Sequence, residues 1–306
     1  MSLSIHNLLH FVKQECVLYP YFFFRNSIIR MRTPKVKIMS IEDTIEAVVN
    51  QGLSVSRYGD GEFSWMVGIK QKTFQDSSEE MKKRLLEIIN SNQKGHIVCL
   101  SDAFGSLRQY NHFAKRFWME FMVKYRKNWI GLLDLNKTYY NTNMTRFYMD
   151  YKDKLICKNR FCLIKRVWDA RDIIIVEGDK TRLGIGNDLF DNAKSIHRIL
   201  APATNAFFKY DDIMEKIKKH SKDKLILMAL GPTATIMAYD LHQLGYQAID
   251  VGHIDIEYEW FLMGAKTKVP VPNKYVNEAK QFGGIPKNSF YNEEYINQIL
   301  DVVEDN

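Results

Sequence analysis

Two runs of aliphatic residues constrain this chain most. Asp172-Ile173-Ile174-Ile175-Val176-Glu177 and Leu225-Ile226-Leu227-Met228-Ala229-Leu230 lack any polar–apolar alternation, so each predicts a strand covered on both faces. The second run leads into Gly231-Pro232-Thr233, where the proline suits the first turn of a helix. That helix is expected to reach Leu244 and stop at Gly245, and Gln247-Ala248-Ile249-Asp250-Val251 is the next strand. Strand, helix and strand in this order predict a parallel βαβ unit with a right-handed crossover.

The first half carries the same alternation less plainly. Ser40-Ile41-Glu42-Asp43 reads as a cap opening a helix to Gln51, with Gly52 as its stop. Leu53-Ser54-Val55-Ser56-Arg57-Tyr58 is a short strand ended by Gly59-Asp60-Gly61. Residues 79–90 and 111–129 have helical spacing, and residues 96–100 form a buried strand. A glycine-rich stretch, 178–186, is expected to lead into a helix over 189–196. The fold class is therefore α/β: a Rossmann-like, doubly wound, mostly parallel sheet flanked by helices, over residues 36–268. Residues 1–35 read as an aromatic helical appendage and residues 269–306 as a C-terminal tail.

Charge narrows the partners. Forty-three basic against 36 acidic residues leave +7, which suits a nucleotide diphosphate, an anionic membrane or nucleic acid; surface solvation by lysine is the plain alternative. No zinc-finger spacing, RNP-like strand or long basic block is present, so nucleic acid is not an expected partner. Cys16, Cys99, Cys157 and Cys162 have no Cys-x-x-Cys spacing, which fits a reduced, cytoplasmic setting. The apolar stretch Val17-Leu18-Tyr19-Pro20-Tyr21-Phe22-Phe23-Phe24 is too short to span a bilayer. With Arg25, Arg30, Arg32, Lys35 and Lys37 behind it, it predicts a helix on the domain's own core. Packing on a second subunit, as a homodimer, is the other form of this reading, and a peripheral contact at the inner face of the membrane or with another partner is the alternative.

Four segments can carry chemistry. In Arg57-Tyr58-Gly59-Asp60-Gly61-Glu62 the glycines allow close backbone approach to a phosphate. Asp60 and Glu62 offer hard oxygen ligands to Mg or Mn, and Arg57 offers a bidentate partner for a diphosphate; a polar turn with a surface carboxylate pair is the alternative. The 178–188 stretch, with Lys180 and Arg182, suits a phosphate or a sugar as well as it suits a plain loop. It is neither a Walker A sequence nor a dinucleotide fingerprint. Thr233 lies at a helix start whose free N–H groups suit an anion. In Gly252-His253-Ile254-Asp255-Ile256-Glu257-Tyr258-Glu259-Trp260, the carboxylates Asp255 and Glu257, or the imidazole of His253, are candidate general bases. On a strand the three carboxylates of this segment would share a face; on a helix they would spread.

Taken together, Arg57-Tyr58-Gly59-Asp60-Gly61-Glu62-Phe63, Gly184-Ile185-Gly186-Asn187-Asp188-Leu189-Phe190, Gly231-Pro232-Thr233-Ala234-Thr235 and the 252–260 segment resemble the GT-D-type glycosyltransferases. The resemblance implies a Rossmann-like enzyme moving a hexose from a UDP-sugar donor to a glycan or glycoprotein acceptor in bacterial surface-glycoprotein or polysaccharide assembly. It also implies a manganese ion on an Asp-x-Glu motif, which falls on Asp60 and Glu62. Arg57, Tyr58, Gly59, Asp60, Gly61, Asn187 and Thr233 are the expected donor-binding residues, and Asp255, Glu257 and His253 the expected catalytic ones. A metal-dependent phosphohydrolase and a non-catalytic nucleotide- or glycan-binding module are the rival readings.

Overall fold

The structure, a computed structural model, describes residues 13–69, 75–76, 78–276 and 293–304. A π-helical turn, Lys13–Leu18, runs into α1 (Tyr19–Met31), followed by β1 (Lys37–Ile38), α2 (Ile41–Gln51), β2 (Ser54–Tyr58) and α3 (Asp60–Met66). Next come α4 (Glu79–Ile88), β3 (His96–Leu100), α5 (His112–Ile130), β4 (Thr138–Asn141), α6 (Cys157–Lys165), β5 (Asp172–Gly178) and β6 (Ser195–Ala201). The described chain ends with α7 (Tyr210–Lys218), β7 (Leu225–Ala229), α8 (Pro232–Gln243), β8 (Gln247–Asp250), α9 (Ile254–Leu262), α10 (Glu293–Gln298) and β9 (Ile299–Val302).

The strands form one nine-stranded sheet in the order β1-β4-β3-β2-β8-β7-β5-β6-β9, and every pairing is parallel. The uninterrupted aliphatic runs sit at its centre. Along β5, Ile173 and Ile175 pack into one core while Ile174 and Val176 pack into a second. Leu225 and Leu227 against Ile226 and Met228 divide the same way along β7. Successive strand residues face opposite sides, so a strand feeding two cores has no polar position left. α8 joins β7 to β8, and those strands pair directly from Leu225–Gln247 to Met228–Asp250, as the parallel βαβ reading expects.

Local signals set the boundaries. Ser40 accepts from Asp43 N–H at 3.0 Å to start α2, and Gly52 ends it at φ 62°. Asn111 caps α5 by accepting from Ala114 N–H. One expectation is corrected: residues 189–196 are not helical. They form turns that lead into β6 at Ser195. Asn187 accepts from Leu189 N–H, and Trp168 Nε1 donates to the Leu189 carbonyl; these contacts hold the backbone in a turn and take the groups a helix would use. The tail contributes β9, which pairs with β6 through Leu200 and Val302. α1 lies along α5: Tyr19 stacks on His112 at 5.1 Å and Arg126 Nε donates to Thr33. Residues 1–12 of the expected appendage and residues 277–292 and 305–306 of the tail lie outside the described residues. Among the described residues, no helix is long and apolar enough to cross a membrane.

Candidate active site

The strand order creates a crevice between β2 and β8. After β2 the chain passes to β3 on one side, whereas after β8 it leaves for β9 at the opposite edge. Loops parting in this way leave room for a ligand outside the carboxyl ends of the strands.

Arg57, near the end of β2, reaches across this crevice. Its Nε donates to the Asp250 carbonyl at 2.8 Å and its Nη2 meets Asp250 Oδ1 at 3.0 Å. Nη1 donates to Thr145 Oγ1 at 2.7 Å and to the Thr142 carbonyl. Thr235, on α8, donates to the Arg57 carbonyl and to Asp250. Burial pushes the Asp250 carboxyl up, and the guanidinium pulls it back down. Arg57 thus clasps β2 to β8 and to the turn after β4, so the diphosphate role expected of it competes with four protein contacts. The clasp needs Gly252: a Cβ built there would lie 1.8 Å from Arg57 Nη2, and its φ is +47°.

Asp60-Gly61-Glu62 is not an open loop but the first turn of α3. Glu62 curls back and accepts from Gly59 N–H at 2.8 Å. Helical positions two apart leave the axis on nearly opposite sides, so the two carboxylates can approach one ion only because Glu62 curls back to Gly59 N–H at the amino terminus of α3. They remain within electrostatic reach of each other. Burial, and then repulsion from Asp250 and Asp60, push Glu62 up to about 7. This is a neighbourhood with carboxylates in excess, where a divalent ion on oxygen ligands would be accommodated. Asp60 fits such an ion as a ligand, and Glu62 fits through the carboxylate oxygen not held by Gly59. Tyr58 turns away from the crevice: it is buried and donates to the Leu85 carbonyl at 2.9 Å, leaving only its backbone at the turn.

Thr233 is fully buried in the first turn of α8, and its hydroxyl has no hydrogen-bond partner among the described residues. An orphaned hydroxyl at the first turn of a helix is consistent with an anion-binding end, although Pro232 has no N–H there and Ala234 N–H already donates to the Gly231 carbonyl at 3.0 Å.

The 252–260 segment is helical from Ile254 onward, so its carboxylates spread. Asp255 is 0% exposed. It accepts from Lys274 Nζ at 2.8 and 2.7 Å, from Asn187 Nδ2 and from Gly184 N–H. Asn187 also donates to Glu259, which pairs with Lys274 at 2.8 Å. This network anchors the 178–188 loop to α9. Gly184 is required there, because a Cβ would lie 2.3 Å from the Phe190 ring. Glu257, also 0% exposed, accepts from the N–H groups of Tyr148 and Met149 at 2.7 and 2.9 Å; burial pushes it up to about 7. Both carboxylates are enclosed; Asp255 is committed to Lys274, Asn187 and Gly184, whereas Glu257 holds the Tyr148 and Met149 backbone through Oε2 alone and its Oε1 has no hydrogen-bond partner among the described residues. His253 is half-buried just before α9.

The structure therefore gathers Arg57, Asp60, Glu62, Asp250 and Thr235 at the β2–β8 crevice and places Asn187 with Asp255 in a separate lock. Asp250 and Lys274 were missed from sequence. Asp250 had a signal, a lone acid closing an apolar parallel strand; Lys274, in a stretch with no periodicity, had none.

An open parallel sheet with an acidic helix start and a helix amino terminus at its switch point defines an α/β protein built to hold a ligand at the carboxyl edge. Residues 55–279 match the family described as the glycosyltransferase GT-D fold, and the chain belongs to that family. A protein of Streptococcus pneumoniae serotype 4 described as glycosyltransferase GlyD is 39% identical over 244 residues, covering 79% of this chain and 30% of its own length. A probable glycosyl transferase Gly of Streptococcus gordonii is 38% identical over 246 residues, covering 80% and 36%. The chain spans about a third of the length of these relatives. A solved structure described as the highly conserved domain of unknown function 1792, with a distinct glycosyltransferase fold, superposes with a TM-score of 0.85. It is 37% identical and covers 92% of this chain and 100% of its own. Another, described as a new glycosyltransferase from Streptococcus sanguinis, has a TM-score of 0.82 at 36% identity, covering 88% and 100%.

Proposed function

We propose that this chain is a metal-dependent glycosyltransferase that moves a hexose from a UDP-sugar to a glycan or glycoprotein acceptor in bacterial surface assembly. The observation that carries the reading is the acidic first turn of α3 at the β2–β8 crevice, in a chain whose relatives are named glycosyltransferases. A divalent ion, manganese or magnesium, held by Asp60 and Glu62 would supply neutralisation of the departing diphosphate. The chain's own part is positional and electrostatic. The α8 start at Thr233 offers its hydroxyl to phosphate oxygens, and Arg57 fixes the spacing of the strands that bear these groups. Asp255 and Glu257 hold the 178–188 loop and the Tyr148–Met149 backbone in place, and His253 is the candidate of the three that keeps part of its surface open for a proton.

A two-metal phosphohydrolase needs further carboxylates, and the described residues gather no group of three or more His, Cys, Asp or Glu able to hold a metal. A screen of UDP- and GDP-sugars with glycan acceptors, with and without Mn, tests the reading by nucleotide release. UDP release from a UDP-hexose that requires both metal and acceptor is expected. Equal release after metal chelation, or rapid release of free sugar without acceptor, would overturn it.

The outer surface of α1 supports the peripheral membrane contact. Tyr21, Phe24 and Met31 are 51, 68 and 79% exposed, and Arg25, Arg30, Arg32, Lys35 and Lys37 are exposed beside them. Aromatic groups with adjacent cations match an anionic lipid surface, at about 1 kcal/mol per basic residue near it. Pelleting with liposomes containing phosphatidylglycerol but not with neutral ones is expected. Indifference to both, or a stable dimer burying this helix, would discard the assignment.

A further inference from the structure

A pocket of about 280 Å³ opens where the glycine-rich loop meets α9. Residues 182–186, the far end of α9 and residues 271–274 enclose it. Its size falls just below the roughly 300–1,000 Å³ of clefts for drug-sized ligands, enough for a sugar ring. The loop follows β5 and α9 follows β8, so the pocket belongs to the same carboxyl side of the sheet as the crevice. Glu259, on its wall, lies six residues along from His253, about 9 Å down the helix axis.

The backbone around this pocket is held in an unfavourable form. Arg182 and Asn273, both in its lining, have φ of +52° and +60°, and Arg182 Nη1 donates to the Asn273 carbonyl at 2.8 Å. Left-handed backbone outside glycine is retained where the surroundings fix it, and it clusters at ligand clamps. Beside them Gly186, at φ +84°, borders open space: a Cβ built there would meet nothing within 4 Å. The opposite wall is stiffened by the Asp255 network. Lys274 is 3% exposed and pairs with Asp255 and Glu259, and Asn187 donates to both carboxylates.

Two polar groups in the lining are left for a ligand. Glu259 receives Asn187 and Lys274 on Oε1, and no described residue donates to its Oε2. The side-chain amide of Asn273 is exposed and bonds to no described residue. Ile185, Val271 and Pro272 make the rest of the wall aliphatic, with Met263 45% exposed. Charge then narrows the ligand. Asp255 and Glu259 match Lys274 and Arg182 in number, so neither an anion nor a cation is drawn in. Among the described residues no aromatic ring lines the pocket, and a nucleobase would use one for stacking. A neutral sugar suits it. The C–H face of the ring packs on the aliphatic wall, one hydroxyl donates to Glu259 Oε2, and another meets the Asn273 amide.

We propose that this pocket is a glycan subsite holding one neutral sugar unit, with Glu259 and Asn273 as the groups that recognise its hydroxyls. Its service to the acceptor rests on the glycosyltransferase reading; the binding of a neutral sugar does not. Saturation-transfer NMR on the full chain with the methyl glycosides of glucose, galactose and N-acetylglucosamine, without donor or metal, tests it. At least one glycoside should bind. Glu259→Gln keeps an oxygen for Asn187 and Lys274 and turns the other position into a donor, so it should weaken that binding about tenfold. Asn273→Gly removes the amide, tolerates the positive φ and should weaken binding severalfold. Thermal unfolding confirms that each variant is folded. Absence of binding by all three glycosides, or unchanged binding in both variants, would overturn the proposal. Unchanged sugar binding with loss of thermal stabilisation by UDP and Mn would assign the pocket to the nucleotide instead. Failure of UDP with Mn to stabilise the wild type counts against the donor turn and not against the pocket.

Discussion

Asp60→Ala is expected to lower UDP-sugar turnover by at least about a hundredfold, the usual loss when a group facing developing charge is removed. The loss should fall on kcat as well as on KM, because neutralisation of the diphosphate matters most as it departs. Asp60 opens α3 at the switch-point crevice, and truncation to Ala keeps its backbone in the helix, where its carbonyl accepts from Ser64 Oγ at 2.6 Å, so folding should survive. Glu62→Ala should cost comparable activity and also some stability, since it removes the acceptor of Gly59 N–H; loss of a helix cap costs about 1 kcal/mol. Steady-state assays across a Mn titration check both. Wild-type kcat with unchanged metal dependence in Asp60→Ala would remove the turn from the mechanism.

Lys274→Met is expected to carry the largest cost in stability, about 3–5 kcal/mol at neutral pH. The ammonium is 3% exposed and contacts both Asp255 and Glu259, and its removal leaves Asp255 charged, buried and uncompensated. Burial already raises the Asp255 carboxyl above its ordinary value, and Lys274 is the chief group lowering it. In the variant it rises further. A carboxyl whose pKa is higher in the folded state contributes most below its unfolded value, near pH 4, and that contribution is lost as pH rises through the folded value. The deficit of Lys274→Met should therefore shrink on acidification and widen toward neutrality. Adding Asp255→Asn should recover part of it. Chemical denaturation at several pH values measures this, and a pH-independent deficit would show that packing, not charge, sets the effect.

The central strands were legible because they are buried on both sides: Ile173 to Val176 admit no polar residue and no other common structure. Helices with a capping residue and a glycine stop, such as α2, were legible for the same local reason. β4, with the sequence Thr138-Tyr139-Tyr140-Asn141, and the two-residue β1 were not, because short strands take their identity from neighbours. The 189–196 turn was misread because its contacts come from Asn187 and from Trp168, whose proximity periodicity does not encode. In the site, the residue types at β2 and β8 were visible, but their commitments were not. Nothing in the spacing of Arg57 and Asp250 shows that they clasp each other 193 residues apart, or that Asp255 is closed off by Lys274. Pair contacts of this kind belong to the folded sheet.

The pairing of β9 with β6 has a practical consequence for handling this domain. A fragment trimmed to residues 55–279, the limits of the family match, would discard Ile299–Val302 and strip β6 of its outer neighbour. It would also remove the Lys216–Asp301 ion pair and the Gln298 contact to the buried Arg198. The uncovered edge would present unpaired backbone from Arg198 to Leu200, a template for self-association between molecules. Fragments that keep the residues through 303 retain this edge protection.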